Sequence, residues 1–259
     1  MAKNLGQQMS QNMSCKTVFI TATDTDAGKT YVSVMLLQGL KQLNQQVIAV
    51  KPIAAGGLEV SGHMANENSD ALLLQQHSSN ALPHSWHNPL FFQQPVAPHL
   101  AAALSQQPIN EAVLNHSLQQ WQQHPADVCV IEGAGGWLLP LNNKRYLADW
   151  VAEHKLAVIV VIGVKLGCLN HAMLTLREIE RSGCKIVGWV ANCVDPHMLL
   201  LEQNIQDLQQ RISQPCLAVL PFQPCTQLST KDSDPTHPTH NSAYAEQAKQ
   251  LATAVMALL

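Results

Sequence analysis

Thr17 to Thr30 reads TVFITATDTDAGKT, and the fold turns on how that stretch is read. Thr17-Val18-Phe19-Ile20 is a β-branched and aromatic run suited to a buried strand. A long amphipathic segment beginning near Gly28 follows, its apolar residues recurring at helical spacing from Val32 to Leu43. Strand, turn and helix in that order, with Gly28-Lys29-Thr30 at the turn, can wrap a phosphate chain. Glycine admits the backbone to the oxygens, and the N–H groups of the helix start point at them. Lys29 can reach β- and γ-phosphates, and the Thr30 hydroxyl can hold Mg²⁺. A strict P-loop would place glycine where Thr23 stands. An ordinary turn with an exposed lysine would use some of the same letters, but the flanking strand and helix favour the phosphate loop.

The chain of 259 residues has room for one large domain or two small ones around a substantial core. Apolar residues make up 46% and charged residues 13%, with a formal charge of −3. Nothing there resembles the basic stripe of a nucleic-acid binder. The seven cysteines (15, 129, 168, 184, 193, 216 and 225) are scattered without a C-x-x-C pair. They read as reduced thiols of a cytoplasmic protein. Residues 1–15, rich in Gln, Asn and Met, read as a flexible tail rather than a targeting peptide. The aliphatic run Leu156–Val164 has the length of a buried strand, too short to span a bilayer.

Further along, Val47–Val50 forms a second strand that ends on Lys51-Pro52. A lysine there lies on the ligand edge of an open α/β sheet, although a solvated strand-end lysine is the plainer reading. Ala54–Gly57 reads as a tight loop, 58–68 as an exposed loop, and Asn68 or Asp70 as the cap of a helix from Ala71. His84 and His87 have a metal-compatible spacing but no supporting Cys or carboxylate cluster, so they read as loop histidines. Helices are expected over 98–104 and 109–123. Asp127–Glu132 is a strand delivering a carboxylate to the sheet edge, as in a second Mg²⁺-binding position. Gly133-Ala134-Gly135-Gly136 then offers a close backbone approach to phosphate. Strands over 156–163, 185–192 and 216–221 alternate with helices over 172–181, 199–212 and 244–259. The polar stretch 223–241 reads as mobile. The pattern predicts one α/β domain over 16–259, with a mainly parallel sheet flanked by helices on both faces.

Seven segments in order resemble the dethiobiotin synthetase family: TDTDAGKT (23–30), KPIAAG (51–56), NSDALLLQ (68–75), EGAGGW (132–137), ADWV (148–151), VIGVKLGCLNHAMLT (161–175) and GWVAN (188–192). The resemblance implies a seven-stranded P-loop NTPase fold and a homodimer with the substrate site at the subunit interface. It also implies MgATP-dependent closure of 7,8-diaminononanoate and CO₂ into dethiobiotin, through a carbamate and a carbamic–phosphoric anhydride. Lys29 and Lys51 would be the catalytic residues. ATP would be held by Asp26, Ala27, Gly28, Lys29, Thr30, Tyr31, Asp70, Glu132, Gly133, Ala134, Gly135, Asn192, Pro221, Phe222 and Gln223. Thr30, Asp70 and Glu132 would hold Mg²⁺. Thr25, Lys51, Ala55, Leu166, Gly167, Cys168 and Asn170 would meet the diamine, the 166–170 loop coming from the neighbouring subunit.

Three positions depart from the family pattern. Ala22 replaces a usual glycine, Ala55 a frequent substrate-binding serine, and Cys193 a common acid. Two other readings compete. A partition-type ATPase of the same superfamily would carry an early second lysine where Asp24 and Asp26 stand, and a basic terminal helix. The last helix, AYAEQAKQLATAVMALL, has one lysine and one glutamate. A cobyrinate-type amide synthetase would need a glutaminase domain for which the chain has no room.

Overall fold

The computed structural model describes residues 15–60, 63–64, 67–223 and 242–259. Strand β1 (Lys16–Ala22) runs into the loop 23–28, and helix α1 (Lys29–Gln42) follows it. Strand β2 (Val47–Val50) is buried along its whole length. The segment expected to be a tight loop instead contributes to β3 (Ile53–Ala55), and the stretch expected to be a loop after it carries the short antiparallel pair β4 (Glu59–Val60) and β5 (His63–Met64). Helix α2 (Ser69–His77) is capped by Asn68, whose side chain accepts from the Ala71 N–H at 3.3 Å. That settles the choice of cap in favour of Asn68 and leaves Asp70 free for other work.

The histidine-rich segment is not all loop. Helix α3 (His84–His87) is one helical turn, and β6 (Leu90–Phe92) pairs in parallel with β3. Helices α4 (Pro98–Leu104) and α5 (Glu111–Gln123) fall within two residues of expectation. Strand β7 (Val128–Glu132) is followed by α6 (Leu147–Glu153), for which periodicity gave no expectation. Its start is secured by Asp149, which accepts from the Tyr146 N–H at 2.8 Å. Then come β8 (Ala157–Val164), α7 (Cys168–Arg181), β9 (Ile186–Cys193), α8 (Leu201–Arg211), β10 (Cys216–Leu220) and α9 (Ser242–Met256). Helix α7 starts four residues earlier than predicted, so Cys168 and Asn170 lie in its first turn rather than in an exit loop. The expected tail 1–15 lies outside the described residues except for Cys15, which is buried and donates its N–H to the Gln122 carbonyl. The stretch 224–241 also lies outside them.

The main sheet has the order β10-β9-β8-β1-β7-β2, every neighbouring pair parallel. Among the described residues it has six strands, one fewer than the resemblance implies. Successive side chains of a strand point to opposite faces, and two cores follow. Val18 and Ile20 join α1 and α9 on one face, while Phe19 joins Trp121 of α5, Trp150 of α6 and Ile179 of α7 on the other. With both faces covered, the strands are aliphatic throughout rather than alternating. All loops that follow strands therefore emerge at one edge, on either side of the central β1. Among the described residues no helix is long and apolar enough to cross a membrane.

Candidate active site

The phosphate loop is strung between β1 and α1. Thr23 ties its start to β8, its N–H donating to the Val161 carbonyl and its Oγ1 accepting from the Gly163 N–H. At its end Gly28 adopts φ 89°, and a Cβ there would stand 2.1 Å from Asn192 Nδ2. That amide donates to the Ala27 carbonyl at 2.9 Å. Glycine is thus required twice at one position, for the left-handed turn and for the approach of β9. One of the two Asn192 amide N–H groups is thus engaged with the loop.

Lys29 curls back over the loop. Its ammonium donates to the Gly135 carbonyl at 2.7 Å and to the Asp24 carbonyl at 3.4 Å. Burial pushes its pKa below the ordinary lysine value; the Glu132 carboxylate opposes that pull, and the nearby Lys51 ammonium adds to it. The loops after β1 and β7, each read as phosphate-binding from sequence, are thereby joined through one cation. Gly135 lies at this junction with Thr25 close to it, and Ala134 before it packs against the core that contains Phe19.

Beside it, Lys51 ends β2 with its ammonium 2.7 Å from Asp70 Oδ2 and 2.7 Å from Glu132 Oε1. Its side chain is only 7% exposed, so the solvated strand-end reading fails. Burial works against the Lys51 charge, but Glu132 and Asp70 more than offset this and hold its pKa above the usual lysine value. Burial likewise works against Asp70's charge, yet Lys51 holds that carboxyl below its ordinary range. Glu132 is fully buried; its Oε1 also accepts from Thr30 Oγ1 at 3.0 Å, while its Oε2 has no hydrogen-bond partner. A buried carboxylate oxygen without a donor is costly unless a cation or water meets it. The set of two carboxylates and a hydroxyl next to a phosphate loop suits Mg²⁺, which takes few protein oxygens and keeps several waters.

Sequence reasoning passed over the residues that aim Lys51. His87 lies fully buried in α3, its Nδ1 2.6 Å from the Ala49 carbonyl, and its own carbonyl accepts the Lys51 N–H at 2.7 Å. Asn88 donates through Nδ2 to the Lys51 carbonyl at 2.8 Å. His84 Nδ1 turns instead to Gln75 Oε1, 2.8 Å away. Also missed was the ion pair between Lys165 and Asp24, 3.0 Å apart, which ties the β8–α7 loop to the phosphate loop. Nothing in the spacing of residues so far apart signals such a pair; only their place after neighbouring strands does.

The remaining predicted positions spread around this centre. Asp26 holds a left-handed backbone (φ 48°) on the exposed loop. Tyr31 packs edge-on against Tyr244 of α9. Pro221, Phe222 and Gln223 are exposed past the end of β10. Ala55 sits in β3 beside the pairing with Phe92. At the start of α7, Leu166 is 92% exposed and Asn170 faces solvent. The Cys168 thiol is buried, with its pKa raised by that burial, so only its backbone can serve a ligand. Gly133 has no room for a side chain, since a Cβ would press on the Phe19 ring at 2.8 Å.

A family described as an AAA domain matches residues 16–229. The chain is 41% identical to "ATP-dependent dethiobiotin synthetase BioD" of Pseudoalteromonas translucida over 207 residues, covering 80% of this chain and 90% of that one. It is also 41% identical to "ATP-dependent dethiobiotin synthetase BioD 1" of Escherichia coli K12, over 80% and 91% of the two chains. Among solved structures it is similar to the cell division ATPase MinD of Pyrococcus furiosus, with a TM-score of 0.57 at 17% identity over 94% and 99% of the chains. It is similar too to cobyrinic acid a,c-diamide synthase of Mycobacterium smegmatis, with a TM-score of 0.52 at 16% identity over 93% and 94%. At such identities the structural likeness speaks for the fold alone.

Proposed function

The chain belongs to the ATP-dependent dethiobiotin synthetase family, and from that premise we propose how its residues divide the work. Its activity is ATP-dependent synthesis of dethiobiotin, a step of biotin formation. The observation that carries the assignment of roles is the meeting of Lys51, Asp70, Glu132 and Thr30 beside the phosphate loop.

In this reading the backbone N–H groups from Asp26 to Tyr31 cradle the ATP phosphates, with charge assistance from the start of α1. Lys29 exchanges its carbonyl partners for oxygens of the transferring phosphoryl group. Thr30, Asp70 and Glu132 hold Mg²⁺, and the unpartnered Glu132 Oε2 supports that choice. When bound, the metal neutralises charge on the β- and γ-phosphoryl oxygens.

One amine of 7,8-diaminononanoate adds to CO₂ and loses a proton, giving a carbamate. Lys51 balances its negative charge. A carbamate oxygen then takes the γ-phosphoryl group, forming a carbamic–phosphoric anhydride and ADP. The second amine attacks the carbonyl carbon, the C–O bond to phosphate breaks, and the departing phosphate can accept the amine proton. The work is positioning and charge neutralisation rather than covalent catalysis by the protein.

The dimer belongs to the same proposal. Leu166, Leu174, Leu199 and Leu200 are large apolar residues left mostly exposed on the neighbouring helices α7 and α8 and the loops ahead of them. A second copy covering them would bring the N-terminal end of α7 to the carboxylate tail of the partner's diamine. A cytoplasmic location fits the six described cysteines, all free thiols. We also take 16–259 as one functional domain, because both core clusters share a single sheet.

The test is phosphate release from MgATP and bicarbonate, with and without 7,8-diaminononanoate, for wild type and Lys51→Ala. Diamine-dependent release that is largely lost in the variant is expected. Release indifferent to the diamine would refute the assignment.

A further inference from the structure

Two side chains, Lys51 and Thr30, donate to the Asp70–Glu132 pair, and Lys51 is the more buried of them. Its ammonium bridges both carboxylates at 2.7 Å, and the oxygen it takes on Glu132 is the one that also receives Thr30 at 3.0 Å. We propose that Lys51 is the resident counter-cation of this carboxylate pair and leaves it when a divalent metal binds, which frees its ammonium for the carbamate. The proposal rests on the assignment of Thr30, Asp70 and Glu132 as metal-holding residues.

Coulomb repulsion carries the argument. A divalent ion on Glu132 with Lys51 still in place would set two cationic centres within a few ångströms of each other on one buried carboxylate, with Lys29 close by. In a site screened from water such repulsion is several times stronger than in solution. Conversely, Glu132 without either cation would be a fully buried charge with only the more distant Lys29 ammonium to offset it, which is strongly unfavourable. The pair therefore needs one cation at all times, and exchange satisfies both conditions.

The geometry suits an exchange rather than a collapse. The Lys51 backbone is pinned at both ends, its N–H by the His87 carbonyl and its carbonyl by Asn88 Nδ2. Losing the carboxylates would therefore move only the flexible side chain. Lysine suits this use better than arginine, since its head is a compact point charge on a flexible stem rather than a rigid fork. Metal loading and readiness for the carbamate become one event, and a protein without metal holds its substrate lysine in reserve.

Mn²⁺ binding in the presence of ADP, followed by electron paramagnetic resonance, would be measured on wild type, Lys51→Met and Glu132→Gln, with circular dichroism as a check of folding. Removing the competing ammonium should tighten Mn²⁺ binding at least about tenfold. Unchanged or weaker binding in folded Lys51→Met would overturn the exchange. A second readout uses wild type alone: crystals with Mg²⁺ and ADP should show the Lys51 ammonium beyond hydrogen-bond distance of Glu132 Oε1. Retention of both carboxylate contacts there would overturn the exchange even if the affinities changed. Loss of Mn²⁺ binding in Glu132→Gln is expected in either case. Its persistence would refute the metal assignment itself, an outcome distinct from failure of the exchange.

Discussion

Gly28 shows how narrow the tolerances are at the level of single residues. A methyl group there would meet Asn192 Nδ2 at 2.1 Å in a backbone conformation (φ 89°) that side chains rarely adopt. Gly28→Ala should raise KM for ATP and cost about 1–3 kcal/mol of stability, read by steady-state kinetics and urea unfolding. A variant with wild-type KM would show that the loop does not need this turn. The two lysines make opposite predictions with pH. Burial lowers the Lys29 pKa, so kcat/KM for ATP should fall on the alkaline side before an ordinary lysine would deprotonate. Its charged form is disfavoured by folding, and that cost disappears as pH rises through its lowered value. Lys51 is raised: its stabilising contribution is complete below the unfolded lysine value and is lost only as pH rises through the higher folded one. Asp70, lowered, contributes above its unfolded value and loses that contribution as pH falls through the folded one. An activity profile flat through the alkaline range would contradict the role given to Lys29. At this scale Lys29, Thr30 and Glu132 were legible because each follows a strand in a motif of known chemistry. Lys51 was ambiguous, because the letters KP after a strand say nothing about two carboxylates brought to it from α2 and β7.

Elements were legible wherever periodicity and turn chemistry agreed. All six strands of the main sheet were found, with ends displaced by a residue or two. What escaped were short elements held by tertiary contacts: β3 against β6, the single turn α3, and α6, whose seven residues carry too little periodic signal. The buried His87 escaped for the same reason, since only the fold carries α3 under the end of β2. Helix packing also supplies a prediction that local propensity would reverse. Gly39 lies in the interior of α1, where alanine would be favoured by about 1 kcal/mol. An added Cβ would, however, stand 1.9 Å from the Ala248 carbonyl oxygen of α9. Overlap with backbone has no cheap relief, so Gly39→Ala should lower stability by about 1–3 kcal/mol, measured by urea unfolding. A gain in stability would show that α9 does not pack on α1 this closely.

At the scale of the whole molecule, the parallel sheet gathers the loops after β1, β2, β7, β8 and β9 at one edge, where the proposed reaction centre lies. In the proposed dimer, a second copy covers the exposed leucines on α7, α8 and their leading loops and completes the site. Leu199→Glu should shift the protein to monomer in sedimentation velocity and raise KM for the diamine several-fold, while ATP binding persists. A monomeric variant with an unaltered diamine KM would remove the partner from the substrate site. The sequence could suggest this assembly only through resemblance, because exposed leucines are recognisable as a patch only once the helices are packed.

The central claim is that the γ-phosphoryl group passes to a carbamate oxygen, and oxygen transfer tests it most directly. Turnover of MgATP and 7,8-diaminononanoate with ¹⁸O-labelled CO₂, quenched before exchange with water, is followed by mass spectrometry of the released phosphate. Transfer through the anhydride places one labelled oxygen in each phosphate formed with dethiobiotin. Unlabelled phosphate accompanying dethiobiotin would mean that ATP is split by water, and would contradict the account.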